Sequence, residues 1–446
     1  MARDAVSMTR GLSRRLSGYG MLGVLLLLCA LFSALTLRDQ HPTGAAAARE
    51  LARALAARAD TAASVLALAR DNAEERAFLA DLTTRLRDAG FTRVRSVAAG
   101  PPEFRAACEE LAAADGPRYL LTLQTNLPAV RAIQSGLPEH TRPVILSPAP
   151  YRWPTFLLVD NLRNVANQIA VIAIVAVGMT LVIITAGIDL SVGSLIALSA
   201  VVCAWLVQAF GGQAAGPGAL LAAATGAMLL SGLAGLFSGA MVVRFRLPPF
   251  IATLAMMQVA SGAAYIISKG RPIYDAPAAF TALGRGVDPL LGLPWAVWLM
   301  LLLYGLAHGL MSRTALGRYV YAVGGNREAA RLAGVRTGAV LLFVYALCGV
   351  LAGLGGVVTA SQLKSGAPTY GLMYELYVIA AVVVGGTSLA GGEGRVLGTL
   401  IGAFIIAVIQ NGMNLTNVES YTQKVVLGLV ILGAVLLDRL RSRPAS

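Results

Sequence analysis

The segment Gly178–Ser194 reads GMTLVIITAGIDLSVGS and interrupts two long apolar runs. An acidic residue at membrane depth is costly and is a candidate functional residue by default. Gly187 and Gly193 allow the backbone to break beside Asp189. Such irregular backbone is tolerated only where it is buried in protein or lines a polar cavity. The plainer interpretation is a tight cytoplasmic turn in which Asp189 or Ser191 caps the next helix, and both interpretations can hold together.

Apolar runs continue on both sides of this segment. They predict an all-α polytopic membrane protein with about ten transmembrane helices of about 20 residues each. The first run, Tyr19–Leu37, follows a basic N-terminus and is interpreted as a retained span, with a cleaved signal peptide as the alternative. The other predicted spans are Val165–Ala186, Leu190–Phe210, Ala219–Val243, Phe250–Ser268, Leu293–Met311, Val340–Gln362, Leu376–Leu389, Val396–Met413 and Val425–Leu437.

The composition favours the same class of protein. Of the 446 residues, 57% are hydrophobic and only 13% are charged, whereas soluble proteins have about 25% charged residues. The net charge of +13 would be typical of a nucleic-acid-binding protein. Most of the excess, however, lies in short segments between apolar runs, as the positive-inside rule requires. We therefore expect membrane lipid and no nucleic acid as a partner. The sequence also lacks a disulfide framework, a metal-ligand cluster and a catalytic constellation, so no cofactor, metal or catalytic residue is expected.

The basic residues predict the orientation of the chain. If the N-terminus is cytoplasmic, the cytoplasmic connections contain Arg244, Arg246, the cluster Arg313–Arg336 and Arg395. The later outside connections contain few basic residues. This bias predicts that both termini are cytoplasmic.

Residues 38–150 differ in character from the rest of the chain. They contain 14 arginines against 13 acidic residues. Short β-rich runs at Phe91–Val97, Tyr119–Leu123 and Val144–Leu146 alternate with helical patterns, which predicts a small α/β domain with a parallel sheet. The Ala-rich stretch Ala45–Ala69 is interpreted as helical. The predicted core of this domain consists of Leu111, Tyr119, Leu121, Leu123, Val144 and Leu146.

The predicted domain organisation has three parts. Residues 1–37 form the cytoplasmic N-terminus and first transmembrane helix. Residues 38–150 form the inserted extracytoplasmic α/β domain, and residues 151–446 form the main transmembrane domain.

A second motif, GRYVYAVGGNREAARLAG at Gly317–Gly334, lies in the largest basic connection. Asn326 can cap a short helix that starts at Arg327, with Glu328 in its first turn. Gly334 can end this helix. A short, charged cytoplasmic helix is suited to fit a groove on a soluble partner, and the plainer interpretation is a solvated connector.

The third motif, ELYVIAAVVVGGTSLAGGEG at Glu375–Gly394, is rich in small residues that let helices approach closely. Glu375 is expected at the outer edge of its span, where a carboxylate can remain hydrated.

Together, and in this order, the three motifs resemble those of the ribose/xylose-type permeases of ABC sugar importers. The resemblance covers about Trp153 to the C-terminus, together with the first span. It implies a permease subunit of the bacterial inner membrane that pairs with a second permease subunit, with a homodimer expected and a heterodimer as the alternative. It also implies cytoplasmic ATP-binding subunits and an extracytoplasmic sugar-binding protein as partners. Members of this family run almost directly from the first span into a segment like FLLVDNLRNVANQ, so the 113 residues from Arg38 to Pro150 are a departure.

The EAARLAG segment resembles the first half of the coupling motif of bacterial importers. The resemblance therefore assigns ATPase coupling to eight residues between Gly324 and Gly334. These are Gly324, Gly325, Asn326, Arg327, Glu328, Ala329, Ala330 and Gly334.

The leading functional hypothesis is a passive gate for a monosaccharide, powered by a separate ATPase, because the sequence contains no GxxxxGK[ST] loop. Nucleosides and branched-chain amino acids are the alternative solutes. A membrane sensor or a membrane enzyme would also contain apolar spans, but no signalling segment follows the last span and the three histidines are scattered. Polar residues within or beside apolar runs are candidates for the substrate pathway, although each is also able to bond a neighbouring helix. They are Asn164, Asn167, Gln168, Thr180, Thr185, Asp189, Ser191, Thr253, Gln362, Glu375 and Asn411.

Overall fold

The computed structural model describes residues 20–441. The basic N-terminus, on which part of the orientation argument depends, lies outside the described residues. The chain divides into two compact units. One is Leu37–Thr155, and the other combines the residues up to Thr36 with those from Phe156 onward.

The first unit is an α/β domain that follows helix α1 (Gly20–Leu35). Its strands and helices alternate along the chain. In order they are β1 (Leu37–Gln40), α2 (Gly44–Ala56), β2 (Ser64–Ala69), α3 (Ala73–Asp88), β3 (Val94–Ala98), α4 (Pro101–Ala113), β4 (Arg118–Thr122), α5 (Leu127–Ser135), β5 (Val144–Leu146) and β6 (Tyr151–Pro154).

Four of these strands form a parallel sheet in the order β3-β2-β4-β5. Helices α2 and α3 pack on one face, where Leu51 and Leu82 contact the side of the sheet that carries Ala67. Helix α4 packs on the other face, where Phe104 joins Leu66 in a second apolar cluster. Strands β1 and β6 form a separate antiparallel pair. The domain therefore has three layers, with the sheet in the middle.

Two predictions for this domain were wrong in part. The stretch Ala45–Ala69 is helical only to Ala56, and its last six residues form the central strand β2. All six residues of β2 are buried, because both faces of a central parallel strand are covered by helices. This burial overrides the helix propensity of alanine. Of the predicted core residues, Val144 is 52% exposed and Tyr119 is only partly buried. The other four are buried, namely Leu111, Leu121, Leu123 and Leu146.

The second unit is a helical bundle. Beyond α1, its helices are α6 (Val159–Ile184), α7 (Val192–Ala209), α8 (Pro217–Arg244), α9 (Pro249–Ser268), α10 (Ala282–Arg285), α11 (Trp295–Arg313), α12 (Ala315–Gly325), α13 (Arg327–Leu332), α14 (Thr337–Leu363), α15 (Tyr374–Val384), α16 (Val396–Leu415) and α17 (Ser420–Arg441). Within residues 20–441, seven helices are long and apolar enough to cross a membrane, namely α6, α7, α8, α9, α11, α14 and α16. Three shorter apolar helices lie at Gly20–Leu35, Tyr374–Val384 and Ser420–Leu436.

The helices at the centre of the bundle pack through small residues. Helices α8 and α14 approach so closely that a side chain on Gly235 would collide with the carbonyl oxygen of Tyr345, and Gly349 faces Ser231 in the same way. Small residues are what permits such backbone approach in membrane helices. By contrast, α8 exposes large apolar side chains such as Leu233 on its other side, as a lipid-facing surface does.

Candidate functional site

The three sequence motifs meet at the C-terminal end of α6. The Gly392 N–H donates a hydrogen bond to the carbonyl oxygen of Ile184 at 2.8 Å. The Tyr321 hydroxyl donates to the carbonyl oxygen of Gly394 at 2.8 Å. One residue of the second motif and two of the third are thus tied to each other and to the first. Residues more than 200 positions apart in the sequence form one junction, which we call the motif junction.

A glycine makes this junction possible. A Cβ atom on Gly324 would collide with the carbonyl oxygen of Ile184 and would also lie 2.7 Å from the Gly392 nitrogen. Real Cβ atoms essentially never come that close to other heavy atoms. The neighbouring Gly325 has open space at the same position. Only the first glycine of this pair is therefore required by packing.

Asp189 lies in the break between α6 and α7 and is fully buried. Its Oδ1 accepts hydrogen bonds from the Ser191 N–H at 2.9 Å and from the Ser191 hydroxyl at 2.6 Å. The Leu190 N–H donates to Thr253 Oγ1 at 3.1 Å, which ties the break to helix α9. Asp189 therefore satisfies one backbone donor of the break and Thr253 satisfies another, as expected for irregular backbone in a protein interior.

Part of this break has unused hydrogen-bonding capacity. Asp189 Oδ2 and the Tyr345 hydroxyl are both buried and have no hydrogen-bond partner among the described residues. The Tyr345 hydroxyl lies so close to Gly187 that a Cβ there would collide with it. Sequence reasoning missed Tyr345, since a tyrosine in an apolar span gives no signal of which loop it will reach.

A segment between α14 and α15 turns back along α7. A Cβ on Gly366 would lie 2.6 Å from Ala204 Cβ, and one on Gly371 would lie 2.5 Å from the carbonyl oxygen of Gly193. From Ala204 to Gly193 helix α7 rises by roughly 16 Å at 1.5 Å per residue. The chain therefore re-enters the bundle before α15 begins, and α15 has only 11 residues.

This path corrects the expectation for Glu375. Its carboxylate lies against Gly193 in the first turn of α7, well away from the end of the bundle where α14 finishes. The predicted span Leu376–Leu389 is also too long, because α15 ends at Val384. The sequence gives no pattern from which the irregular path through Gly366 and Gly371 could be recognised. Glu375 was therefore expected at the edge of its span.

The short helix expected in the second motif is present as α13. The Asn326 Oδ1 accepts a hydrogen bond from the Ala329 N–H at 2.9 Å and so caps the helix. Glu328 and Arg331 form an ion pair of 2.8 Å, and both side chains are largely exposed. Gly334 follows the helix with φ of +86°, a conformation that favours glycine. Leu332 is 84% exposed on this helix, so α13 offers both charge and an apolar side chain for contact.

A second group of predicted polar residues meets at the N-terminal end of α6. The Gln362 amide donates to the carbonyl oxygen of Asn167 at 3.1 Å, and the Asn167 amide donates to the carbonyl oxygen of Gly284 at 3.1 Å. Asn411 exchanges amide hydrogen bonds of 3.0 and 2.9 Å with Asn161. Asn161 was not among the predicted residues, although it belongs to the same polar segment.

A cavity of about 440 Å³ opens beside this group. Five of its eight lining residues are polar or charged, and the full set is Asp160, Arg163, Asn164, Asn167, Arg285, Val287, Gly292 and Pro294. Its size lies within the range of roughly 300–1,000 Å³ for small-molecule sites. Two predicted residues, Asn164 and Asn167, therefore line one space, which we call the polar cavity.

Asp288 holds the loop that borders the polar cavity. Its carboxylate accepts hydrogen bonds from the N–H groups of Leu290, Leu291 and Leu293 and from the Trp298 indole, over 2.7–3.0 Å. These donors, with the Leu291 N–H first and the indole next, lower the pKa of Asp288 to about 2. Sequence reasoning missed this residue, although the pair Asp288–Pro289 is a recognisable turn signal.

The remaining predicted residues belong neither to the break at Asp189 nor to the polar group at the N-terminal end of α6. Thr180 and Thr399 share a hydrogen bond of 2.8 Å between α6 and α16. Thr185 donates to the carbonyl oxygen of Val182 within its own helix end. Gln168 is exposed on α6. Thr180 and Thr185 thus bond other protein atoms, which is the structural role that the sequence left open for them beside a role in the substrate pathway.

A helical bundle with an interrupted central helix, a re-entrant segment and a polar cavity is the architecture of a membrane transport protein. The sequence model of the family described as branched-chain amino acid transport system/permease component matches residues 161–435. The chain belongs to this family.

Several characterised relatives have sugar transport in their names. The ribose import permease of Escherichia coli K12 is 45% identical over 64% of this chain and 87% of its own length. The D-allose transport system permease of the same organism is 37% identical over 65% of this chain and 86% of its own length. An L-arabinose transporter permease of Azospirillum brasilense is 35% identical over 65% of this chain and 82% of its own length. No solved structure gives a significant match.

Proposed function

We propose that this chain is the membrane-spanning permease subunit of an ATP-driven importer for a monosaccharide, with ribose as the first candidate. The observation that carries the proposal is the motif junction, in which the end of α6, the approach to α13 and the loop after α15 are tied together. A movement of α13 is thereby transmitted directly to the broken central helix. The relatives named for ribose, allose and arabinose support a monosaccharide as the solute.

The proposed coupling element is the segment Gly324–Gly334. Its short helix α13 is capped by Asn326, ends at Gly334 and presents Arg327, Glu328 and Leu332 to solvent. Ala330 is buried against the bundle, so the helix is fixed on one side and free on the other. A cytoplasmic ATP-binding subunit is the proposed partner of the free side.

The proposed substrate pathway starts at the polar cavity with Asn164, Asn167 and Gln362. Amides that donate and accept are suited to hydroxyl groups of a neutral solute. The proposed pathway continues toward the break at Asp189. Near this break, Glu375 lies against Gly193. Asp189 and Ser191 are proposed to hold the break in shape rather than to contact the solute.

The orientation proposed for the chain places α13 and both termini in the cytoplasm of a bacterium, with the inserted domain on the outer side of the inner membrane. Arg244, the last residue of α8, and Arg246, which follows the helix, support this orientation. A second permease subunit and an extracytoplasmic sugar-binding protein complete the proposed assembly. A cysteine in place of Ser135, which is exposed on α5, tests the placement. An impermeant maleimide should label it in spheroplasts, and labelling only after permeabilisation would overturn the orientation.

The transport assay reconstitutes the permease in proteoliposomes with its cognate ATPase and binding protein. Uptake of D-ribose, D-allose, L-arabinose, L-leucine and a nucleoside is compared with and without ATP. ATP-dependent uptake of a monosaccharide supports the proposal. Uptake of leucine or the nucleoside without any sugar would overturn the assignment of the solute. Leucine is the pertinent comparison because the family is described by branched-chain amino acid transport.

The same assay tests the coupling segment. Glu328→Lys reverses a charge in the first turn of α13 and removes the ion pair with Arg331. We expect uptake to fall severalfold, while the subunit still inserts into the membrane and still binds the monosaccharide. Glu139→Lys, at an exposed position in the inserted domain, is the charge-matched control. Normal uptake by Glu328→Lys would contradict the coupling role.

A further inference from the structure

The inserted domain contains a cavity of its own. It has a volume of about 310 Å³ and is lined by Arg70, Asp71, Ala99, Gly100, Pro101, Phe104, Asn126 and Ala129. The volume lies at the lower end of the range for small-molecule sites, roughly 300 Å³. We call it the domain cavity.

The topology of the sheet explains why a cavity forms at this point. Arg70 follows β2, Gly100 follows β3 and Asn126 follows β4, so all three lie at the carboxyl ends of parallel strands. The connection after β2 leads to β3 on one side, whereas the connection after β4 leads to β5 on the other side. The two neighbouring strands β2 and β4 therefore mark the point at which the chain reverses direction across the sheet. Ligands of open parallel sheets bind in the crevice at such a point.

An unpartnered acceptor lies in the wall of the domain cavity. Asn126 is 1% exposed, and its Oδ1 has no hydrogen-bond partner among the described residues. Its Nδ2 donates to Glu75 Oε2 at 2.8 Å, which fixes the amide so that Oδ1 remains the free atom. A buried acceptor without a donor is unfavourable. A ligand that brings a hydroxyl donor would remove this penalty.

Other groups around the cavity define the ligand further. The guanidinium of Arg70 is a donor at the rim, where it also reaches the carbonyl oxygen of Thr125 at 3.3 Å. The carboxylate of Asp71 is held by Arg76 at 2.5 Å, and this hydrogen bond lowers the pKa of Asp71, so it remains an acceptor at neutral pH. Pro101 and Phe104 also line the cavity and give it an apolar wall.

This combination disfavours an anion. The free atom of Asn126 is an acceptor, and an anionic ligand such as phosphate would bring further acceptors against it and against Asp71. Helix α4, which begins at the cavity, has prolines at its first two positions, so two of its N–H donors are missing. A neutral molecule with several hydroxyl groups and an apolar ring face satisfies Asn126, Arg70 and the apolar wall together.

We infer that the inserted domain is a binding site for a neutral polyhydroxylated molecule of monosaccharide size. The site is separate from the polar cavity of the helical bundle and needs no ATPase to bind. The inference does not depend on the transport assay, because binding is measured on the permease alone.

The test is isothermal titration of the full-length permease in nanodiscs, without ATPase or binding protein. D-ribose, D-allose and L-arabinose are the sugar probes, and inorganic phosphate is the anion probe. Asn126→Leu removes the free acceptor, and Ala129→Phe fills the cavity from α5. Arg87→Ala, on an exposed position of α3 away from the cavity, is the matched control. Cys108, which is 1% exposed, reports whether each variant remains folded, because it should stay protected from maleimide.

The expected result is saturable binding of at least one sugar by the unmodified chain and by Arg87→Ala. Asn126→Leu should weaken it about tenfold, as the loss of one buried hydrogen bond predicts, and Ala129→Phe should abolish it. Three results would overturn the inference. They are no saturable sugar binding, binding that is unchanged in both folded cavity variants, and saturable binding of phosphate in place of the sugars.

Discussion

The two units of this chain differ in how they satisfy their backbone hydrogen-bonding groups and in how they fill their interiors. In the inserted domain, a regular sheet pairs the backbone, and large side chains such as Leu66, Leu82 and Phe104 fill the space between sheet and helices. In the bundle, the break after α6 is satisfied by Asp189 and Thr253, and the elements touch through glycines such as Gly324. The domain is therefore sensitive to the removal of atoms, whereas the motif junction is sensitive to their addition.

The largest expected effect comes from adding a side chain at the motif junction. Gly324→Leu would place a side chain against the carbonyl oxygen of Ile184, and neither backbone can move without losing the hydrogen bond from Gly392. We expect loss of stable assembly and of measurable uptake. Gly325→Ala, where the same position is open, should retain near-normal uptake. Comparable uptake by the two variants would contradict the claim that the motif junction requires a glycine at position 324.

The corresponding test in the inserted domain removes atoms. Leu66 is 1% exposed in the central strand, so Leu66→Ala should destabilise this domain by about 2–5 kcal/mol. Val144 is 52% exposed on the edge strand, so Val144→Ala should change stability by roughly 0.5 kcal/mol or less. The measurement is the urea dependence of maleimide labelling at Cys108, whose burial raises the thiol pKa to about 11 and protects it in the folded domain. Equal sensitivity at both positions would contradict the three-layer packing.

Asp189 gives a smaller effect and separates hydrogen bonding from charge. Asp189→Leu removes the acceptor for the Ser191 N–H and hydroxyl, at a cost of about 1–3 kcal/mol for each unsatisfied buried group. Asp189→Asn keeps an oxygen at the Oδ1 position and should be less destabilising. Thermal unfolding in detergent and uptake in proteoliposomes are the measurements. If the leucine variant is as stable and active as the unmodified chain, Asp189 does not hold the break.

The smallest expected effect concerns the loop of the polar cavity. The pKa of Asp288 is lowered to about 2, below the ordinary value of about 3.9. Its contribution to loop stability is therefore fully present above about pH 4 and is lost as the pH falls through about 2. Fluorescence of Trp298, with the other tryptophans replaced by phenylalanine, should stay constant from neutral pH down to about pH 4 and change below it. In Asp288→Asn this acid transition should be absent, and an unchanged transition would assign it to another group.

The local elements of the candidate site were predictable to a large degree. Asn326, Arg327 and Gly334 gave the cap, the start and the end of α13 in the correct positions, because capping depends on neighbouring residues only. The family was also recognisable from the three motifs, and the family match and the named relatives agree with it. The Ala-rich strand β2 was mistaken for helix, since its conformation is set by the helices that cover both of its faces.

Contacts between distant segments were not predictable. Nothing in the sequence near Glu375 indicates that the chain turns back along α7, because a re-entrant segment is stabilised by the helices around it and not by its own propensity. The same holds for Tyr345, which reaches a loop more than 150 residues earlier, and for the cavity at Asn126.

The sequence by itself determined the apolar helices, the charged α/β character of residues 38–150, the cap of α13 and the family. These features follow from composition, periodicity and short-range hydrogen bonding, which act within a few residues. Only the tertiary structure decided that Ile184, Gly324 and Gly392 form one junction, that Glu375 lies against Gly193, and that the carboxyl ends of β2, β3 and β4 surround a cavity. These features depend on close packing between segments far apart in the chain, where the space left by one segment decides what the other can occupy.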